Sequence, residues 1–232
     1  MLMSFFENQT KKMDIHVYIL QSSLTSGDKG QLENLVKLYS GMLHWFSVDE
    51  ELFSRFPVTE DWTAEVYYRL LLPDVLPEDI DRILYLDVDI IINKSLEDLY
   101  FTDFGGKVLC VCKDICGAPF GDERDLIFEK QIQNGFIYFC SGMLLMNIKA
   151  MRGKYCFEDY MKLAQDLDYK MVAPDQDLLN YVHWNEVKIV DSMQYNLFAW
   201  IAYKKNIHYS EVKETVSIIH FSGPKPWAGK YV

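Results

Sequence analysis

Seven apolar runs of strand length recur along this chain, and the segments between them have helical spacing. The runs are IHVYIL (15–20), LHWFSV (43–48), RILYL (82–86), KVLCVC (107–112), GMLLMN (142–147), VKIV (187–190) and VSIIHF (216–221). Most are continuously apolar rather than alternating, the pattern of strands covered on both faces. Between them, Leu32, Leu35, Val36 and Tyr39 recur at three- and four-residue spacing, as do Ala64, Tyr67, Tyr68, Leu71 and Leu72, and Phe157, Tyr160, Met161 and Ala164. Pro174 ahead of Asp175-Gln176-Asp177 suits a helix start, because proline fits the first turn and acids favour the positive end of the dipole. Strands alternating with helices predict α/β layering.

With 232 residues, half of them hydrophobic, the chain holds enough apolar material for one substantial core, so residues 1–232 are expected to form one domain. No Gly/Ser linker, internal repeat or low-complexity segment divides it. Residues 113–136, with Gly117, Pro119, Gly121 and Gly135, read as the longest irregular stretch and as a loop over a site. A net charge of −11 argues against a phosphate-backbone binder, whose affinity comes from clustered Lys and Arg, so no nucleic-acid partner is expected. No run approaches the roughly 18 apolar residues of a membrane span, and Met1 to Asn8 lack the regions of a signal peptide, so the expectation is a cytoplasmic protein. The five cysteines, at 110, 112, 116, 140 and 156, have no paired spacing and read as reduced thiols, with KVLCVCKDIC a buried strand entering a loop rather than a zinc site.

The sharpest local feature is Asp87-Val88-Asp89 directly after RILYL. Two carboxylates at the end of a buried strand are costly unless a cation or hydrogen-bond donors receive them. Side chains at i and i+2 share one face of an extended chain, so the pair can offer oxygen ligands to Mg²⁺ or Mn²⁺ and, through the ion, hold a diphosphate. A pair of strand-end acids making turn bonds fits the local sequence equally well. His220 ends a second apolar strand and is followed by SGPKPW. It reads either as a further ligand or as an ordinary strand-end histidine, with Gly223 permitting close backbone approach and Lys225 able to neutralise a phosphate. Asp175, Gln176 and Asp177 read locally as helix capping, and Arg69 as a surface ion pair.

IHVYIL, YYRLLLPDVLPEDIDRILYLDVDIII, FCSGMLLMNIKAM, PDQDLLN and IIHFSGPKPW together resemble glycosyltransferase family 8 in content and order, over nearly the whole chain. The resemblance implies a GT-A nucleotide-diphospho-sugar transferase fold, with a mixed, mostly parallel sheet flanked by helices. It implies transfer of a hexosyl group from a UDP-sugar to an acceptor hydroxyl with retention of configuration, the acceptor being a glycan, lipid-linked or lipopolysaccharide molecule. Asp87, Asp89 and His220 match the family's manganese ligands. Val88, Lys225 and Gly223 fall with the diphosphate and Arg69 with the donor; Asp114, Asn147, Asp175 and Gln176 fall on positions lining the donor sugar, Gln176 nearest the reacting carbon. A cytoplasmic enzyme working peripherally at the inner face of the membrane follows from the same likeness.

Relative to that family, a strand bearing an acid and an aromatic residue would precede the helix starting at Ser4-Phe5-Phe6, and a helical tail would follow KPW. The chain is therefore expected to be truncated at both ends, and a truncated, catalytically inactive member is one alternative reading. The other is a haloacid dehalogenase-type phosphatase, which shares the strand-then-Asp-x-Asp pattern, with Gly121-Asp122-Glu123-Arg124-Asp125 as its later acidic motif. Ile91, where that family has Thr or Val, speaks against it.

Overall fold

A computed structural model of the chain describes residues 1–10, 13–59, 62–115, 122–223 and 225–228. Among them are nine strands: β1 (His16–Gln21), β2 (Met42–Ser47), β3 (Ile83–Leu86), β4 (Ile90–Ile92), β5 (Leu109–Lys113), β6 (Phe139–Met146), β7 (Val187–Val190), β8 (Leu197–Phe198) and β9 (Ile218–His220). They form sheets ordered β1-β2, β3-β6-β5-β7 and β4-β9-β8. The sheets are mixed: β1-β2, β5-β7 and β8-β9 are parallel, while β3-β6, β5-β6 and β4-β9 are antiparallel. Each of the seven apolar runs yields a strand. The two strands not anticipated, β4 and β8, are three and two residues long, too short to leave a pattern of their own.

The chain forms two compact units, one of Met1–Thr10, Arg82–Asn147 and Asn180–Val232, the other of Lys11–Asp81 and Ile148–Leu179. In the first, all eight residues of β6 and the first four of β5 are buried, which is why both read as unbroken apolar runs. Cys112 packs with Ile90, Ile92, Leu96, Leu99, Met143 and Ile218, and Cys110 with Phe104 and Leu145. Burial pushes both thiols up, favouring their protonated form; Cys116 lies outside the described residues. The exposed edge of β4 is satisfied by side chains of the helix Leu2–Glu7 and its cap: Ile92 N–H donates to Ser4 Oγ at 3.0 Å and Asn8 Nδ2 donates to Ile92 O at 3.0 Å.

The stretch 113–136 is more ordered than its composition predicts. A helix spans Asp122–Gln133, anchored by buried Phe128, whose ring stacks on Phe136 at 5.2 Å. Gly135, at φ +76°, ends it where an L side chain would be strained. Gly117 and Pro119 lie outside the described residues, as does Gly121, and the side chains of Asp122 to Asp125 are not described.

In the second unit β1 and β2 run parallel, joined by the helix Ser26–Leu38, which is capped by Thr25 and Asp28. The segment expected as an α-helix over 64–72 is instead a 3-10 helix over Ala64–Leu71, followed by the one-turn α-helix Leu72–Val75. Glu65 is exposed, but Tyr67, Tyr68, Arg69, Leu70 and Leu71 are all buried, so the second half of the segment has no solvent face and packing overrides the α period. The helix Phe157–Asp166 and the start of Pro174–His183 follow their predicted spacing.

Candidate metal centre and donor site

Asp87 and Asp89 sit where the chain leaves one sheet and enters another. β3 ends at Leu86, opposite Met143, and Asp87 N–H donates to Gly142 O at 2.9 Å. β4 begins at Ile90, paired with His220, and Phe221 N–H donates to Asp89 O at 2.9 Å. Strand pairing thus brings His220 to both carboxylates, and the ligand atoms of Asp87, Asp89 and His220 all lie within 4.8 Å of one another. Nε2 of His220 is 3.2 Å from Asp89 Oδ1 and 3.8 Å from Asp87 Oδ2. Val88, 86% exposed, turns its side chain outward.

Four residues that local sequence did not single out hold this triad. Tyr85 OH donates to Asp87 Oδ1 at 2.8 Å. Buried Asn196 places Oδ1 2.9 Å from His220 Nδ1, which makes that nitrogen the donor and turns the Nε2 lone pair toward the carboxylates. The Phe198 ring meets the imidazole edge-to-face at 5.2 Å. Gly142 leaves the space: a Cβ there would lie 2.4 Å from His220 Cε1 and 2.7 Å from Asp87 Oδ2. Tyr85 was open to discovery, since it alternates with Asp87 along one extended face. Asn196 carries no local signal.

These residues fit a divalent cation. Carboxylate oxygens with one neutral imidazole are a donor set for Mn²⁺ or Mg²⁺. Asp89 Oδ1 is buried and, despite its 3.2 Å approach to Nε2, has no hydrogen bond. A lone pair facing a carboxylate oxygen is favourable only with a proton or a metal ion between them. Burial works against the charge on Asp89, but His220 and Lys225 outweigh it and hold the carboxyl below the ordinary aspartate range. Lys225 supplies local positive charge, its ammonium contacting Asp89 Oδ2 and donating to Phe221 O at 2.7 Å. Gly223, exposed at φ +89°, makes the turn that carries the lysine there; Pro224 lies outside the described residues.

Asp114 and Asn147 part company. Asp114 follows β5, its N–H donating to Tyr138 O at 3.0 Å. Asn147 donates from its backbone to Val108 O at 2.9 Å, at the opposite end of β5, and its side chain reaches Lys107 O. At roughly 3.3 Å per residue the length of the strand separates them. Asn147 therefore does not join Asp87, which follows the other end of β3, and its expected place beside the donor sugar is corrected by the strand register.

In the second unit, Arg69 is not on the surface. Its Nε lies 3.2 Å from Asp175 Oδ2 with both side chains buried, and it also donates to Val66 O. Asp177 accepts from the N–H groups of Val172 and Ala173, a capping role, and Gln176 is half-buried between the two acids. Burial, then Asp175 and Asp177, push the Tyr67 hydroxyl well above its usual range.

The profile of Glycosyl transferase family 8 matches residues 2–230. The chain belongs to this family. Its family 8 relatives include the lipopolysaccharide 1,3-galactosyltransferase of Salmonella typhimurium, 25% identical over 95% of this chain and 65% of its own length. A lipopolysaccharide 1,2-glucosyltransferase of Escherichia coli is 28% identical over 86% of this chain and 61% of its own length. The chain thus spans less than two thirds of these two relatives. A crystal structure of the galactosyltransferase LgtC with donor and acceptor sugar analogues matches with a TM-score of 0.77 at 24% identity, over 97% of this chain and 84% of that one. This family 8 chain accordingly has the GT-A fold.

Proposed function

We propose that this chain moves a hexosyl group from a UDP-sugar to an acceptor hydroxyl with retention of configuration, assisted by Mn²⁺ or Mg²⁺ at Asp87, Asp89 and His220. The observation that carries the reading is the convergence of those three ligands within 4.8 Å, cradled by Gly142, in a chain of this family. A bound divalent ion would supply charge stabilisation for the departing diphosphate. Lys225, released from Asp89, and the Gly223 turn hold the diphosphate, with the backbone of Val88 beside it. Asp114 lines the donor sugar, and Arg69 faces the donor from its pair with Asp175.

Gln176 positions the reacting sugar carbon. Asp175, its charge stabilised 3.2 Å from Arg69, is a weak nucleophile, which favours attack by the acceptor hydroxyl on the face the diphosphate leaves. A covalent sugar trapped on Asp175 or Gln176 during turnover would overturn that route. The lipopolysaccharide relatives support a glycan, lipid-linked or lipopolysaccharide acceptor, met peripherally at the inner face of a membrane. Among the described residues no helix is long and apolar enough to cross one.

Calorimetric titration of UDP with Mn²⁺, with EDTA and into Asp89→Ala tests the proposal. Binding that requires both metal and Asp89 supports it; a folded protein that binds UDP in none of the three is an inactive family member.

A further inference from the structure

A recess lies close to the triad. It is lined by Ile115, Met193, Trp200, Ile201, Lys204 and Lys205, with no carboxylate among the described lining residues. Ile115 directly follows Asp114. Ile201 packs with Cys140 and Phe198, with Ile115 and Trp200 against them, and Phe198 is the ring that meets His220 at 5.2 Å. One layer of side chains therefore separates this recess from the candidate metal centre.

Its chemistry is unusual for the chain. Three aliphatic side chains and an indole form an apolar floor and wall, and two lysines stand at the rim of a protein whose net charge is −11. Lys204 Nζ lies over the Trp200 ring, 4.7 Å from its centroid, so a cation rests on the indole face and swings off it when a ring stacks there. A concave, mostly apolar surface with few polar groups is the general form of a small-ligand site. The apolar C–H face of a pyranose ring suits the indole, and an anionic substituent on that ring suits the ammonium groups. A purely apolar ligand would leave the lysines unused, and a bare anion would leave the indole unused.

We infer that this recess is an acceptor subsite that takes a sugar bearing a phosphate or carboxylate, stacked on Trp200 and paired with Lys204 and Lys205. The inference rests on the transferase reading above, which leaves the acceptor's charge open.

The test uses the whole chain with ¹⁵N-labelled tryptophan, the Trp200 indole signal being assigned by its loss in Trp200→Phe. Glucose 6-phosphate, glucuronate, glucose and inorganic phosphate are titrated separately. Glucose 6-phosphate or glucuronate should move the Trp200 signal with at least tenfold lower Kd than glucose or phosphate, and the two arms tell phosphate from carboxylate. Lys204→Gln/Lys205→Gln should erase that preference while glucose still moves the signal. Equal binding of glucose, equal binding of phosphate alone, or shifts at other tryptophans only would overturn the inference. So would binding to phosphatidylglycerol vesicles that shifts Trp200 while neither anionic sugar does, since the face would then be a lipid contact. UDP titration in the same sample separates the two readings: loss of UDP binding refutes the donor site and leaves the sugar result standing.

Discussion

Gly142 and His220 are packed so closely that no side chain fits between them, an added Cβ falling 2.4 Å from His220 Cε1 and 3.1 Å from Nδ1. Both groups are held, the glycine in the middle of β6 and the imidazole by Asn196, so neither yields cheaply. Gly142→Ala should therefore displace His220 and Asp87, lower Mn²⁺ affinity by at least tenfold, and cost about 1–3 kcal/mol of stability from overpacking. Electron paramagnetic resonance titration of free Mn²⁺ and urea unfolding read the two effects separately.

Asn196 should matter for the metal rather than for the fold alone. Losing the group that orients a ligating histidine typically weakens metal binding by about 10–100-fold. Asn196→Ala is expected to fall in that range, and Asn196→Asp, which still accepts from Nδ1, should recover most of it. Equal affinities in all three proteins would show that Asn196 does not orient His220.

Asp89 also links acidity to stability. Its folded carboxyl lies below its unfolded value of about 3.9, so its contacts with His220 and Lys225 favour the charged carboxylate and stabilise the fold above that value. The contribution is lost as pH falls through the folded value. Asp89→Asn should thus be less stable than the native chain at pH 6, with the gap narrowing below pH 4; unfolding curves at the two pH values measure it.

Arg69 and Asp175 form the one buried ion pair among the described ion pairs of the second unit. Arg69→Met removes the cation facing a buried carboxylate and should destabilise by about 3–5 kcal/mol, with Arg69→Met/Asp175→Leu recovering much of the loss. Chemical denaturation of both variants tests this.

Asn147→Ala should leave UDP and Mn²⁺ binding unchanged, since the register puts it at the far end of β5. Calorimetry showing a tenfold loss would return it to the site.

What could be read from sequence was what has a period or a short-range motif. All seven apolar runs became strands, although burial on both faces accounts for β5 and β6 and not for β1, β2, β3 and β7, which are half-buried, and Asp87-Val88-Asp89 stood out because paired acids after such a run are anomalous. The 3-10 path of 64–71 was hidden because its residues also satisfy helical spacing. Arg69 was misjudged because burial by distant elements has no local mark. Asn196 and Gly142 are near the metal centre through pairing of strands far apart in sequence, and Asn147 was misplaced because a motif gives neighbours in the chain, not the direction in which the strand carries them.

Asp87 closes the sheet β3-β6-β5-β7, and Asp89, two residues on, opens the sheet β4-β9-β8. A single cation gripped by both would act as a rivet through the joint between them. Metal loading should then slow amide exchange along β3, β4 and β9 together, making the cation part of the architecture it serves.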